Sequence, residues 1–364
     1  MNDTSQVEPA RPRARPERSP QAAAPGGRTA RWKQRPEGGG WFAIWLIRNI
    51  ARYGGRTIGR ALLYPITLYF LLRRAPERLA SRAYLARVLG RPARLRDGAR
   101  HIHTFASTIL DRVFLLSGRL QLFDVTISGV EDVHRQLDKR QGVLLFGSHL
   151  GSFEVLRVLA RQRPDYVIRV VLDKGHNPAM TQLLDALDPQ IAANVIDAAQ
   201  DGPAIVLAIQ QAVAAGHLVA LLVDRAQASE AAQPAGFLGG EALFPTAPWL
   251  IAMVLDTPVV LAFGLYRGGN RYDLVFEHFS DGLHAPRAQR AQVLASVIRR
   301  YAARLEHYAR QAPYNWFNFY DFWERSDTHA GAGQPEPAQP HEAAGSIAAG
   351  DDAAGQRGRV VRRA

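Results

Sequence analysis

From Gln121 onward, short apolar runs alternate with helix-like stretches, and this alternation limits the fold more than any other feature of the chain. The runs are "LFDVTIS", "GVLLFG", "YVIRVVL", "AANVIDA", "HLVALLV", "PVVLAFGLY" and "YDLVFEHF". Short segments rich in Val, Leu and Ile suit strands buried on both faces. Between them, apolar spacing predicts helices over 153–162, 179–187, 203–215 and 247–255, then a longer one over 287–311. The alternation predicts an α/β fold: a largely parallel central sheet covered by helices on both faces, preceded by N-terminal membrane-associated helices. No internal repeat is visible in the 364 residues.

The flanks differ in character. Residues 1–40, with "RPRARPERSP", are rich in Pro, Arg, Ala and Gly and lack apolar periodicity, as expected of a disordered basic tail. They also lack the pattern of a secretory signal. Residues 326–364 read as a second disordered tail. This leaves a membrane-associated helical region over 41–112 and an α/β domain over 113–325. Within the former, "WFAIWLI" and "ALLYPITLYFLL" are each too short to span a bilayer. Arg48, Arg52, Arg56 and Arg60 recur at every fourth position, and Arg73, Arg74, Arg78 and Arg82 extend the charge. Trp41, Trp45, Tyr64 and Tyr69 suit headgroup depth. One or two helices lying in, or dipping into, the cytoplasmic leaflet of the inner membrane are expected. The competing reading is an amphipathic helix packed on the core with its arginines in solvent. Gly54 and Gly55 weaken any continuous helix there.

Charge and cysteine content narrow the chemistry. A net charge of +12 favours an acidic partner or surface. Neither tail interleaves aromatics with its basic residues, so nucleic acid is not the expected partner. With no cysteine, thiolate nucleophiles, disulfides and cysteine-ligated metals are excluded.

The stretch "LLFGSHLGSFEVLR" carries the candidate chemistry. Functional loops gather at the carboxyl ends of strands in open α/β sheets, and Ser148 to Glu154 occupies such a place. His149 and Glu154 are five apart, so a regular helix would set them about 140° apart. They meet only if His149 sits in the loop and Glu154 in the first helical turn, with Gly151 permitting the bend. A carboxylate accepting the Nδ1–H bond would leave Nε2 as a general base. A zinc-hydrolase pattern is absent, because the residue four after His149 is Phe153. Ser148, Asp224 and His278 occur in the order of a hydrolase triad. However, the glycines of a nucleophile elbow are replaced by Phe146 and Leu150. A loop histidine that merely caps a helix is the bland alternative.

The HxxxxE pattern after an apolar strand, with membrane-associated helices upstream, resembles the HxxxxD/E acyltransferases, specifically the bacterial lipid A biosynthesis (lauroyl/myristoyl) acyltransferase family. "VVLDKGHNPAM" resembles the family's segment after its third strand, with Lys174 where an arginine is common, followed by Asn177 and Pro178. "ALLVDRAQ" resembles a strand ending in Asp-Gln, with Asp224 matching and Arg225 replacing the Gln. "FLGGEALFPTAPWLIAM" resembles a segment that lines the acyl site. "PYNWFNFYDFW" resembles a subgroup associated with aryl-polyene lipid clusters, which implies an acceptor other than lipid A itself. Its Trp316, Phe319, Tyr320 and Trp323 suit either an acyl groove or a sealed core. Asn315, Asn318 and Asp321 suit a headgroup or neighbouring loops.

The resemblance implies a membrane-bound transferase. It would move a fatty acyl chain from an acyl carrier protein or acyl-CoA thioester to a hydroxyl of a lipid or glycolipid acceptor, without cofactor or metal. His149 would be the base and Glu154 its orienting acid. Ser148, Gly151, Ser152, Lys174, Asn177, Asp224 and Arg225 would bind substrate or the oxyanion. The alternative from another class is a non-catalytic membrane-surface protein that binds lipid for a biosynthetic partner.

Overall fold

The computed structural model describes residues 55–323 apart from 164, 176–177, 188–191 and 227–229. The expectations for both tails, "WFAIWLI", Arg48, Arg52 and Asn177 lie outside the described residues.

Nine strands form two sheets among these residues. They are β1 (Asp124–Ser128), β2 (Val143–Gly147), β3 (Ile168–Leu172), β4 (Val195–Asp197), β5 (Leu218–Leu222), β6 (Ala232–Phe237), β7 (Gly240–Pro245), β8 (Val259–Gly268) and β9 (Arg271–Ser280). The central sheet has seven strands in the order β1-β9-β8-β2-β5-β3-β4. The run from β8 to β4 is parallel throughout. β9 returns antiparallel to β8 through a tight turn, and β1 lies parallel to β9 at the edge. The sheet is therefore largely parallel, as expected, with one reversal on the β8–β9 side. β6 and β7 form a separate antiparallel hairpin, which the apolar runs did not predict.

Nine helices accompany the strands among the described residues. They are α1 (Gly55–Arg73), α2 (Ala75–Leu89), α3 (Leu95–Leu116), α4 (Glu131–Asp138), α5 (Arg157–Gln162), α6 (Pro178–Leu187), α7 (Gly202–Ala214), α8 (Ala247–Leu255) and α9 (Arg290–Gln311). Their starts follow local chemistry. Asp201 accepts from the Ala204 amide, and Pro203 follows it in the first turn, where a missing N–H costs nothing.

Side-chain alternation along the strands builds one core on each face of the sheet. Val143 and Leu145 of β2 pack with Leu63 of α1, Leu110 and Phe114 of α3 and Val133 of α4. Leu144 and Phe146 face the other way, toward Leu85 of α2, Ile209 of α7, Trp249 of α8 and Tyr301 of α9. Every residue of β2 is buried, which accounts for its unbroken apolar run.

The described part of the region upstream of the sheet packs onto it, through α3 above all. α3 is mostly buried and supplies His101, Phe105, Asp111 and Arg112 to the interior or the site. Arg56 pairs with Asp111 through two hydrogen bonds of 2.7 and 2.9 Å. Arg60 donates to Tyr266 Oη and to the Gly269 carbonyl. The expected arginine stripe therefore folds back onto the protein at these two positions, because both guanidiniums find buried or turn acceptors. The apolar residues of "ALLYPITLYFLL" divide: Leu63 is buried, whereas Leu62, Tyr64, Leu68, Tyr69 and Leu72 are exposed. No described helix is long and apolar enough to cross a membrane.

Candidate active site

β2 and β5 are parallel neighbours in register, with Gly147 opposite Leu222. Each chain runs two residues further, to His149 on one strand and Asp224 on the other. Adjacent strands lie about 4.8 Å apart, so the two side chains emerge side by side. His149 Nδ1 is 2.8 Å from Asp224 Oδ1. A carboxylate only accepts, so Nδ1 carries the proton and Nε2 is left as the acceptor. Asp224 Oδ2 accepts from the His149 amide at 3.1 Å and from Trp316 Nε1 at 3.0 Å. This carboxylate is fully enclosed, while the His149 side chain keeps 34% of its surface.

The charges around the ring set its protonation. Partial burial lowers the His149 pKa, and the Arg225 cation lowers it further. Asp224 pulls it up and Arg112 pushes it down, with a net shift below the ordinary imidazole value. Burial alone would raise the Asp224 pKa, but His149, Arg225 and the Trp316 N–H hold it below the usual carboxylate range. The resting pair is a neutral imidazole against a carboxylate, which suits proton abstraction near neutrality.

Glu154, the expected orienting acid, is engaged elsewhere. Its Oε2 accepts from Ser152 Oγ at 2.8 Å, and its Oε1 lies 2.6 Å from Arg112 Nε in an ion pair not aligned as a hydrogen bond. The segment after Ser152 is a short 3₁₀ turn, Phe153–Leu156, and Glu154 there faces Arg112 of α3. The dyad of this protein is therefore His149–Asp224. The sequence-local pairing is corrected by strand adjacency, which the spacing of the letters does not contain.

Backbone contacts hold the histidine loop in place. Gly151 has φ +83°, and a Cβ there would lie 1.9 Å from the Gly264 carbonyl oxygen. Ser152 N donates to that same Gly264 oxygen at 2.8 Å. Gly151 thus serves close backbone approach to β8. On the other side, Gly151 N donates to Asn315 O at 2.8 Å and Phe317 N to His149 O at 3.0 Å. Asn315 is fixed in turn by bonds with both the N–H and the C=O of Tyr266. The aromatic segment after α9 therefore closes the site: Trp316, Phe322 and Trp323 are buried with Phe237 of the hairpin, as a sealed core.

The remaining expected residues are distributed along the same edge. Ser148 is buried, and its Oγ meets no acceptor or donor among the described residues. Ser152 is buried and committed to Glu154. Arg225 is half-buried, sends Nη2 to Phe317 O at 2.6 Å and lies over the Tyr320 ring. Lys174 follows β3, two strand spacings or about 10 Å from β2, with its amide on Asp197 Oδ1. His278 pairs with Asp281 rather than Asp224, so the triad order does not become a triad. Among the described residues, no cluster of His, Asp and Glu could hold a metal ion. Sequence reasoning missed Arg112 and the structural part of Trp316; only strand order and the packing of α3 reveal them.

A half-exposed imidazole polarised by a buried carboxylate, at the carboxyl edge of a parallel sheet, defines an α/β enzyme equipped for general-base chemistry. The chain belongs to the bacterial lipid A biosynthesis acyltransferase family, whose sequence profile matches residues 114–325. It is accordingly an acyltransferase, with an acyl donor and a lipid acceptor as its substrates. No curated protein matches the chain.

Proposed function

We propose that the protein transfers a fatty acyl chain from a thioester, carried on acyl carrier protein or coenzyme A, to a hydroxyl of a membrane lipid or glycolipid. The observation carrying this reading is the 2.8 Å contact of His149 Nδ1 with Asp224, which leaves Nε2 as a free acceptor on a partly exposed ring. Nε2 removes the acceptor proton as its oxygen attacks the thioester carbonyl. The imidazolium formed is stabilised by Asp224. The tetrahedral intermediate then collapses, expelling the thiolate, which takes that proton. No covalent enzyme intermediate is needed.

The oxyanion requires a donor. The amides of His149, Gly151 and Ser152 are already committed to Asp224, Asn315 and Gly264. The buried, unpartnered hydroxyl of Ser148 takes the role. Arg225 and Lys174 supply positive charge for the phosphates of donor or acceptor. The acceptor arrives laterally from the cytoplasmic leaflet of the inner membrane, where the exposed apolar side of α1 rests.

The test is acyl transfer by membranes carrying the full chain, with radiolabelled donor on either carrier and extracted lipids as acceptors. His149→Ala is expected to abolish labelled lipid while expression and membrane attachment persist. Turnover retained in that variant would remove the mechanism.

A further inference from the structure

We propose that Trp316 is a positioning residue of the His149–Asp224 pair: its indole N–H, delivered from the segment after α9, orients the Asp224 carboxylate so that Oδ1 faces the imidazole. This rests on the reading of that pair as the reacting centre. Among the described residues, Asp224 Oδ2 has two donors, the His149 amide and Trp316 Nε1. The first belongs to the very loop being positioned and moves with it. The second is anchored to the body of the fold, so it ties the carboxylate to a reference outside the loop.

Trp316 is equipped to be that reference. It is fully buried, and its ring is packed by Tyr84, Phe237 and Phe322 at centroid distances of 5.1, 5.0 and 4.8 Å. Its carbonyl accepts from His101 Nε2 at 2.9 Å, and His101 Nδ1 is 2.8 Å from Ser81 Oγ. Burial pushes the His101 pKa down to about 4, so this brace stays neutral and keeps donating across the working pH range. Tyr84 Oη donates to Pro313 O, and Asn315 is bonded to the Tyr266 backbone. Packing alone would be served by a phenyl ring. The fold also buries an indole N–H at Trp249 with no partner among the described residues, so burial of Trp316 does not by itself require a carboxylate.

The test is Trp316→Phe in the full chain, which keeps an aromatic ring in the pocket at some cost in packing and removes the single donor. The charged groups facing His149 are Asp224 and Arg225 after β5 and Arg112 of α3, itself paired with Glu154; Tyr301 of α9 faces Asp224. None of these changes in the variant. Without its indole donor the Asp224 carboxylate no longer holds Oδ1 on the ring, so the imidazolium loses part of its partner and the His149 titration midpoint is expected to fall, read by NMR of the isotope-labelled ring. Turnover is expected to fall about ten- to hundredfold, the weight of one hydrogen bond to a charged group, with KM for the acyl donor unchanged. A purely structural role would lower the yield of folded protein and leave midpoint and specific activity alone, which would overturn the proposal.

Should the variant not fold, the wild-type indole N–H resonance of Trp316 is followed instead. It is expected to shift with the His149 midpoint and to lose that response in His149→Ala; an unresponsive resonance overturns the proposal. Because the ring titration needs no substrate, wild-type protein without acyl transfer would sink the proposed reaction and leave the positioning role to be judged by NMR.

Discussion

The acid beside a catalytic-type histidine need not be its neighbour in the chain. Glu154 is five residues from His149 and faces Arg112, whereas Asp224 is 75 residues away and makes the bond. Asp224→Asn is expected to cost about 10²- to 10⁴-fold in turnover, because the amide favours the wrong tautomer and does not stabilise the imidazolium. Glu154→Gln is expected to cost less, and steady-state rates of the two variants check the order. The pH dependence carries a signed prediction. A folded pKa below the ordinary imidazole value means the base is available at lower pH, so the acidic limb of kcat/KM lies below the usual histidine range. Arg225→Gln removes a cation that disfavours the imidazolium, so the limb should move to higher pH. Glu154→Gln leaves Arg112 unneutralised and should move it to lower pH. Much of this site was legible in the letters: the histidine, its loop and Asp224 all stand out at strand ends. What the letters lack is which strand ends are neighbours, and that alone assigns the acid.

At the level of elements, the seven apolar runs became the seven strands of the central sheet. β2, β5 and β8 are almost wholly buried, whereas β1 and β3 are only partly covered. The β6–β7 hairpin escaped this reading. It contains only short apolar stretches, and its turn at Leu238 and Gly239, both with positive φ, is of the kind glycine pairs announce. The "LGG" of this stretch was thus a usable signal that the apolar pattern outweighed. α3 falls largely inside the expected helical region over 41–112, but its place in the interior escaped. Its buried face carries His101, Thr104, Ser107, Thr108 and Asp111, which dilute the apolar stripe, and His101 and Asp111 are held by tertiary partners. The contact of the histidine loop with β8 depends on Gly151 and Gly264, each too close to opposing backbone to admit a Cβ. Gly151→Ala adds left-handed strain of roughly 1–3 kcal/mol to that clash. It is expected to lower the denaturant midpoint and to displace His149, so that activity is lost even under conditions where the protein remains folded. Circular dichroism and rate measurements on one preparation separate the two effects.

For the molecule as a whole, the open question is how a +12 protein with no described spanning helix reaches lipid substrates. α1 exposes Ile58, Leu62, Tyr64, Leu68, Tyr69 and Leu72 along one broad side, with Tyr64 and Leu72 at 70% and 71% exposure. Its arginines Arg56 and Arg60 are bound to the protein body, so this side is nearly free of charge. Half-burying such side chains in a headgroup layer is worth roughly 1 kcal/mol each, comparable in sum to a single myristoyl chain. That is a reversible attachment, and a second attraction is needed to hold it. Exposed Arg73 at the end of α1 and Arg82 on α2 supply one, at about 1 kcal/mol per charge near an anionic surface. The expected behaviour is co-sedimentation with vesicles containing anionic phospholipid, weaker on neutral vesicles and weakened by salt. Leu62→Asp with Leu72→Asp should reduce binding to both vesicle types while leaving the His149 titration unchanged. Wild-type binding equal on neutral and anionic vesicles, or a charge-bearing α1 that binds as before, would place the membrane contact elsewhere on the protein.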